Sequence, residues 1–173
     1  TQFQRKHLEY LRAKKFYLRG ARYVMQSLDG AYPGFARAMA QYTEATGAAV
    51  LARCKTADAE PLYWASCGVL GAFALDPLDT EALAAVPGAA AMLERAAALD
   101  PAFNEGAIWE TLAAFYAAAP EALGGGADKA AEAYQKALEL SGGQRPSVYL
   151  LYAQSFCIPA QDGAGFDEAL QKV

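Results

Sequence analysis

A chain of 173 residues, 54% apolar and with a formal net charge of −4, is long enough to bury one ordinary core. Its glycine and proline contents, 15 and 8 residues, are too ordinary for a fibrous or disordered chain. The longest apolar stretches, such as Gly68–Leu75 and Ala82–Leu93, are short or broken by glycine and proline, so the roughly 18 unbroken residues of a membrane-crossing helix are not expected.

The first predicted element is a basic helix. Residues 1–22 hold Arg5, Lys6, Arg12, Lys14, Lys15, Arg19 and Arg22 against the single acid Glu9. The remainder carries eight basic and eighteen acidic residues, so about +6 stands opposite about −10. Such a run marks a solvated face first; its functional reading is a cationic edge for an anionic lipid surface or an acidic partner. Nucleic acid is excluded, because the basic residues do not continue into a patch and the pI is about 5.0. His7, the sole histidine, lies here with no carboxylate beyond Glu9, too little for a metal set or a general base.

Further along, one helical pattern recurs. Trp64, Cys67, Gly68 and Gly71 form one copy, Trp109, Leu112, Ala113 and Tyr116 another, and Tyr149, Tyr152, Ala153 and Phe156 a third. Tyr17, Gly20, Ala21 and Val24 make a weaker first copy. Each falls at i, i+3, i+4, i+7, one face of a helix, with an aromatic first and a small residue third. The small residue admits a neighbouring helix closely, and the aromatic fills the space beside it.

A second helix is predicted after each copy. Ala89, Leu93, Ala96 and Leu99 mark one, closed by Pro101. Ala130, Tyr134, Ala137, Leu138 and Leu140 mark the next, closed by Gly142–Gly143. Phe35 and Met39 suggest a degenerate early member, and Phe166, Leu170 and Val173 a late one cut by the chain end. The connections within pairs are expected in "DPLDTEALAAVPG" and "APEALGGGAD", where lengthening costs little. The expected fold is all-α: a superhelical stack of about four divergent tetratricopeptide-like helix pairs, one domain over residues 1–173, the last pair truncated. Thr1 in place of an initiator methionine also reads as a trimmed end.

Gly124–Gly126 opens a helix, as phosphate loops do, but a helix and not a strand precedes it, and Ala127–Asp128 replaces Lys–Ser or Lys–Thr. Asp128 instead suits an N-cap or first helical turn. The glycines are a turn. No nucleophile–base pair or metal set can be assembled, so the chain reads as no enzyme, with no catalytic residue, metal or cofactor. Of three cysteines, Cys67 and Cys157 sit among apolar residues and read as buried, whereas Cys54, between Arg53 and Lys55, reads as exposed.

Ten tyrosines, eight phenylalanines and two tryptophans remain. Most belong to the core of a helical stack. On the inner wall of a superhelix, Tyr149, Tyr152 and Phe156, with Trp109 and Tyr116 and a polar contact from Asn104, are candidates to bind an apolar or amphipathic ligand.

The stretch "LDPAFNEGAIWETLAAFYAAAPEALGGGADKAAEAYQKALELSGGQRPSVYLLYA" resembles the T component of tripartite ATP-independent periplasmic (TRAP) transporters. The asparagine before the helix, "PEALGG", a lysine–alanine helix and "ALELSGG" follow in that family's order. Upstream, "RGARYVMQSLDGAYPGF" and "LYWASCGVLGAFAL" are similar too, so the likeness covers most of residues 17–173. Gly126 stands where an acidic residue is more usual. The resemblance implies a periplasmic lipoprotein held by an N-terminal lipid anchor outside these residues. It also implies a homotrimer that docks the periplasmic solute-binding (P) component, with a passage for a small hydrophobic or organic-acid ligand. The competing expectation is a tetratricopeptide-like peptide-binding adaptor or co-chaperone.

Overall fold

The computed structural model describes residues 2–173, with side chains from residue 5 onwards. All regular structure in these residues is helical, arranged as helix pairs, and the chain divides into two compact units, one running to Leu99 and one from Asp100 to Val173.

The first unit holds α1 (Gln2–Ala31), α2 (Phe35–Ala40), α3 (Glu44–Leu51), α4 (Ala59–Leu75) and α5 (Thr80–Leu99). Antiparallel packing of α1 on α4 follows from the small residues of the repeat. A Cβ on Gly68 would lie 2.8 Å from the Cβ of Ala21 and 2.9 Å from the Tyr17 carbonyl. The third-place residues of two copies therefore face each other, and only glycine opposite alanine permits the approach. The Tyr17 ring lies against Gly71, as the aromatic first place requires. At one end Lys14 donates to Asp76 at 2.7 Å and also to Asp79; at the other the Tyr32 hydroxyl donates to Asp58 at 2.5 Å.

Two expectations are corrected here. The segment "DPLDTEALAAVPG" is mostly not a connection, because α5 begins at Thr80 and runs through Pro87. Asp79 starts it early by accepting from the N–H groups of Glu81 (2.8 Å) and Ala82 (3.2 Å). An alanine-rich first half sustains it. Pro87 costs the helix an N–H donor, but the turn is held by burial of Ala82, Val86, Ala89 and Leu93. Thus lengthened, α5 is also long and apolar enough to cross a membrane by length and composition. Half of that stretch is buried within the unit, with Val86, Met92, Leu93 and Ala96 fully so, as in an interior helix. Cys54, expected at the surface, is buried: Arg53 and Lys55 point to solvent while the thiol turns inward toward the Val50 carbonyl at 3.8 Å. Burial first, then the nearby Asp58 charge, push its pKa up. Of the other two cysteines, Cys157 is buried and Cys67 half-buried.

The second unit contains α6 (Ala107–Ala118), α7 (Ala127–Leu140), α8 (Pro146–Tyr152), the short α9 (Ile158–Ala160) and α10 (Gly163–Leu170). Buried Ala130, Ala133, Tyr134 and Ala137 form one stripe of α7, packed against α6 with its buried Ile108, Leu112, Ala113 and Tyr116. Between α8 and α9 the helix widens into a π-turn over Ala153–Cys157, with the Ile158 N–H bonding the Ala153 carbonyl. Pro159 explains the widening, since in a regular helix its ring would press on the carbonyl four residues back.

Candidate functional site

The glycine turn carries no phosphate site. All three of its N–H groups are used within the chain: Gly124 to Glu121 (2.9 Å), Gly125 to Pro120 (3.2 Å) and Gly126 to Tyr116 (3.0 Å), each to a carbonyl. A Cβ on Gly125 would fall 1.8 Å from the Ala119 carbonyl oxygen, so glycine there serves a backbone crossing. Asp128 lies in the first turn of α7, as expected. Among the described residues no group of three or more His, Cys, Asp or Glu side chains is placed to hold a metal ion.

The six expected ligand residues all lie in the second unit, in several settings. Tyr152 and Phe156 come together, their rings stacked at 5.5 Å and 20°. They close on Tyr134 from α7, at 5.0 Å from Tyr152 and 5.6 Å from Phe156. Tyr134 is a repeat residue that sequence reasoning did not count as a site residue. Its phenol pKa is raised, by burial first and then by the phenols of Tyr152 and Tyr149. Tyr152 and Phe156, four residues apart, lie on one side of the element across the π-turn, and such widened turns recur at functional positions.

Trp109 is half-buried; its indole N–H donates to the Pro101 carbonyl at 3.0 Å, and the Lys136 ammonium sits 4.2 Å from its ring. Tyr116 is buried, with Phe115 at 5.6 Å and the Lys129 ammonium at 5.5 Å. The Tyr149 hydroxyl donates to the Gly143 carbonyl at 3.0 Å, closing the turn before α8. Asn104 and Glu105 both adopt left-handed backbone, φ 44° and 56°. The Asn104 carbonyl accepts from Arg145 Nη1 at 2.5 Å, while Arg145 pairs with Glu110 at 3.4 Å. A non-glycine pair in that region is held by its surroundings, and Arg145 is the holding group. A cavity of about 310 Å³ lies beyond the π-turn, lined by Cys157, Ile158, Gln161, Asp162, Gly163 and Phe166, none of them among the six.

The first unit presents aromatic surface that the expected residues did not include. Phe16, Tyr17, Gly20, Val24 and Trp64 line an open groove of about 480 Å³ between α1 and α4. A neighbouring hollow of about 470 Å³ shares Val24 and Trp64 and adds Tyr23, Ser27, Glu60 and Pro61. Trp64 is 52% exposed, Tyr23 61% and Phe16 49%. The guanidinium groups of Arg12 and Arg19 lie 5.6 and 5.0 Å from the Phe16 ring, and that of Arg22 lies 5.9 Å from Tyr23. The alternation of arginines and aromatics between residues 12 and 23 was the signal for this surface. Reading the basic residues as a charge run and Tyr17, Gly20, Ala21 and Val24 as a repeat copy, each apart from the other, hid it.

Compared with known proteins, residues 1–173 match the family described as "TAtT: TRAP transporter T-component". An uncharacterized protein of Treponema pallidum (strain Nichols) is 44% identical over 171 residues, which cover 99% of this chain and 53% of that protein. The chain spans about half the length of the curated relative it matches.

Proposed function

The chain belongs to the TRAP transporter T-component family, and from that membership we propose that it serves a TRAP-type solute-uptake system as a non-catalytic accessory subunit. Its task is to dock the periplasmic solute-binding protein of that system. The observation carrying this reading is the family match along the whole chain, supported by a relative 44% identical over nearly all of it.

The finer parts of the proposal follow from the same premise. The helix pairs are diverged tetratricopeptide-like units of one repeat domain, and the protein works in the periplasm as an anchored lipoprotein and a homotrimer. A small hydrophobic or organic-acid ligand passes along aromatic side chains. Tyr134, Tyr152 and Phe156 are the best-supported part of that lining, because three rings gather where the helix is widened. Trp109, Tyr116, Tyr149 and Asn104 then act beside them, Asn104 through the turn that Arg145 holds.

A cross-linked pull-down of the full-length protein from its own cells, with partners identified by mass spectrometry, tests the reading. A periplasmic solute-binding protein is expected among the partners. Chaperones or peptide-tailed clients in its place would replace the transport reading with the adaptor reading.

A further inference from the structure

The groove between α1 and α4 has a shape, a lining and a rim that together define a partner. Its two hollows follow α1 from Ala13 to Ser27, about 21 Å at the rise of an α-helix. Such a length matches four turns of a second helix and exceeds what one small molecule fills. The lining is aromatic, and its exposed anchors are Trp64, Tyr23 and Phe16, with arginines beside the last two. Tryptophan, tyrosine and arginine are the residues that dominate binding energy at protein interfaces.

Charge selects the kind of helix. Arg12, Arg19 and Arg22 are exposed, and their guanidinium groups lie 5.0–5.9 Å from the Phe16 and Tyr23 rings that line the groove. The one carboxylate among the lining residues, Glu60, accepts from the Trp64 indole N–H at 3.3 Å and so is already engaged. The hollow at Gly20 between α1 and α4 is concave, so a helix seated in it covers lining that a flat lipid surface leaves open. We infer that the α1–α4 groove of the first unit docks an acidic amphipathic helix of a protein partner, its apolar face on Trp64 and Phe16 and its carboxylates on the arginine rim. This does not rest on the transport reading, since helix binding is scored without any receptor.

The floor offers a clean test. A Cβ on Gly20 would meet nothing within 4 Å, and Gly20 lines the groove, so Gly20→Leu directs its side chain into that open space. In a Trp109→Phe background Trp64 is the sole indole fluorophore of the chain. The probe is a synthetic four-turn helix with leucines on one face and glutamates on the other, alongside a leucine–lysine counterpart. Saturable blue-shifted Trp64 emission is expected with the glutamate helix and at least tenfold weaker binding with the lysine helix. Gly20→Leu should weaken binding tenfold or more while its thermal midpoint is unchanged or raised. Arg12→Gln with Arg19→Gln should weaken binding and flatten its salt dependence.

The inference is overturned by absence of a saturable shift, by equal binding of both helices, or by full binding to Gly20→Leu. It is equally overturned if Trp64 responds to phosphatidylglycerol vesicles, or to rising protein concentration alone, and not to the glutamate helix.

Discussion

Gly20, Gly88 and Gly125 share a side chain and differ only in what faces it. A methyl group on Gly88 would sit 2.1 Å from the Met39 carbonyl oxygen, and one on Gly125 1.8 Å from that of Ala119. Both obstacles are backbone and cannot step aside. Alanine at either position should therefore cost about 1–3 kcal/mol, as overpacking does. At Gly20 the same change meets open space and should add roughly 0.5–1 kcal/mol through lower unfolded-state entropy and better helix propensity. Urea unfolding of the three variants checks the order, and a stabilised Gly88→Ala would contradict it. Sequence places these glycines in or beside helices but says nothing of the carbonyl opposite. For the same reason Cys54 was misread: its neighbours' charges were visible, whereas the inward turn of the backbone was not.

Among the elements, the helices carrying the aromatic–small repeat were legible because their buried residues fall at regular spacing. The early start of α5 was not, since Pro87 and Gly88 punctuate the sequence where the helix continues. What decides that start is Asp79, whose pKa is lowered by the hydrogen bond from Lys14 and then by the N–H groups of Ala82 and Glu81. The Lys14 pKa is raised by its hydrogen bonds to Asp76 and then Asp79. The depressed Asp79 contributes its stability fully above the ordinary carboxylate value, about 3.9. That contribution is lost as pH falls through the lower folded value. The raised Lys14 contributes fully below about 10.4 and loses its share as pH rises through the higher folded value. Thermal melts should then show Asp79→Asn less stable than the parent by a constant margin from pH 5 to 9, narrowing as the pH drops below about 4. A margin undiminished at pH 3 would contradict the clamp.

The π-turn is an element-scale feature too. Pro159 and the shared face of Tyr152 and Phe156 were visible in the sequence, but the approach of Tyr134 from α7 to that face was not. A double-mutant cycle on Tyr134→Leu and Phe156→Leu should return a coupling of about 0.5–1.5 kcal/mol. Purely additive losses would dissolve the cluster.

For the whole molecule, the total charge of −4 conceals the division between a basic first helix and an acidic remainder. That division was legible, and so was the alternation of arginines and aromatics on α1; the groove itself was not, because it needs α4 laid beside α1. The loops identified the family as well as the helices did, since the glycine turn and the "ALELSGG" helix end are tied to specific backbone crossings and bonds. Partner docking is the claim on which the account depends. Its most direct test is a calorimetric titration of the purified full-length protein with the solute-binding protein of its own transport system. The account predicts saturable heat with a defined stoichiometry and a micromolar or tighter Kd. No heat, and no co-elution of the two proteins at concentrations well above that range, would contradict it.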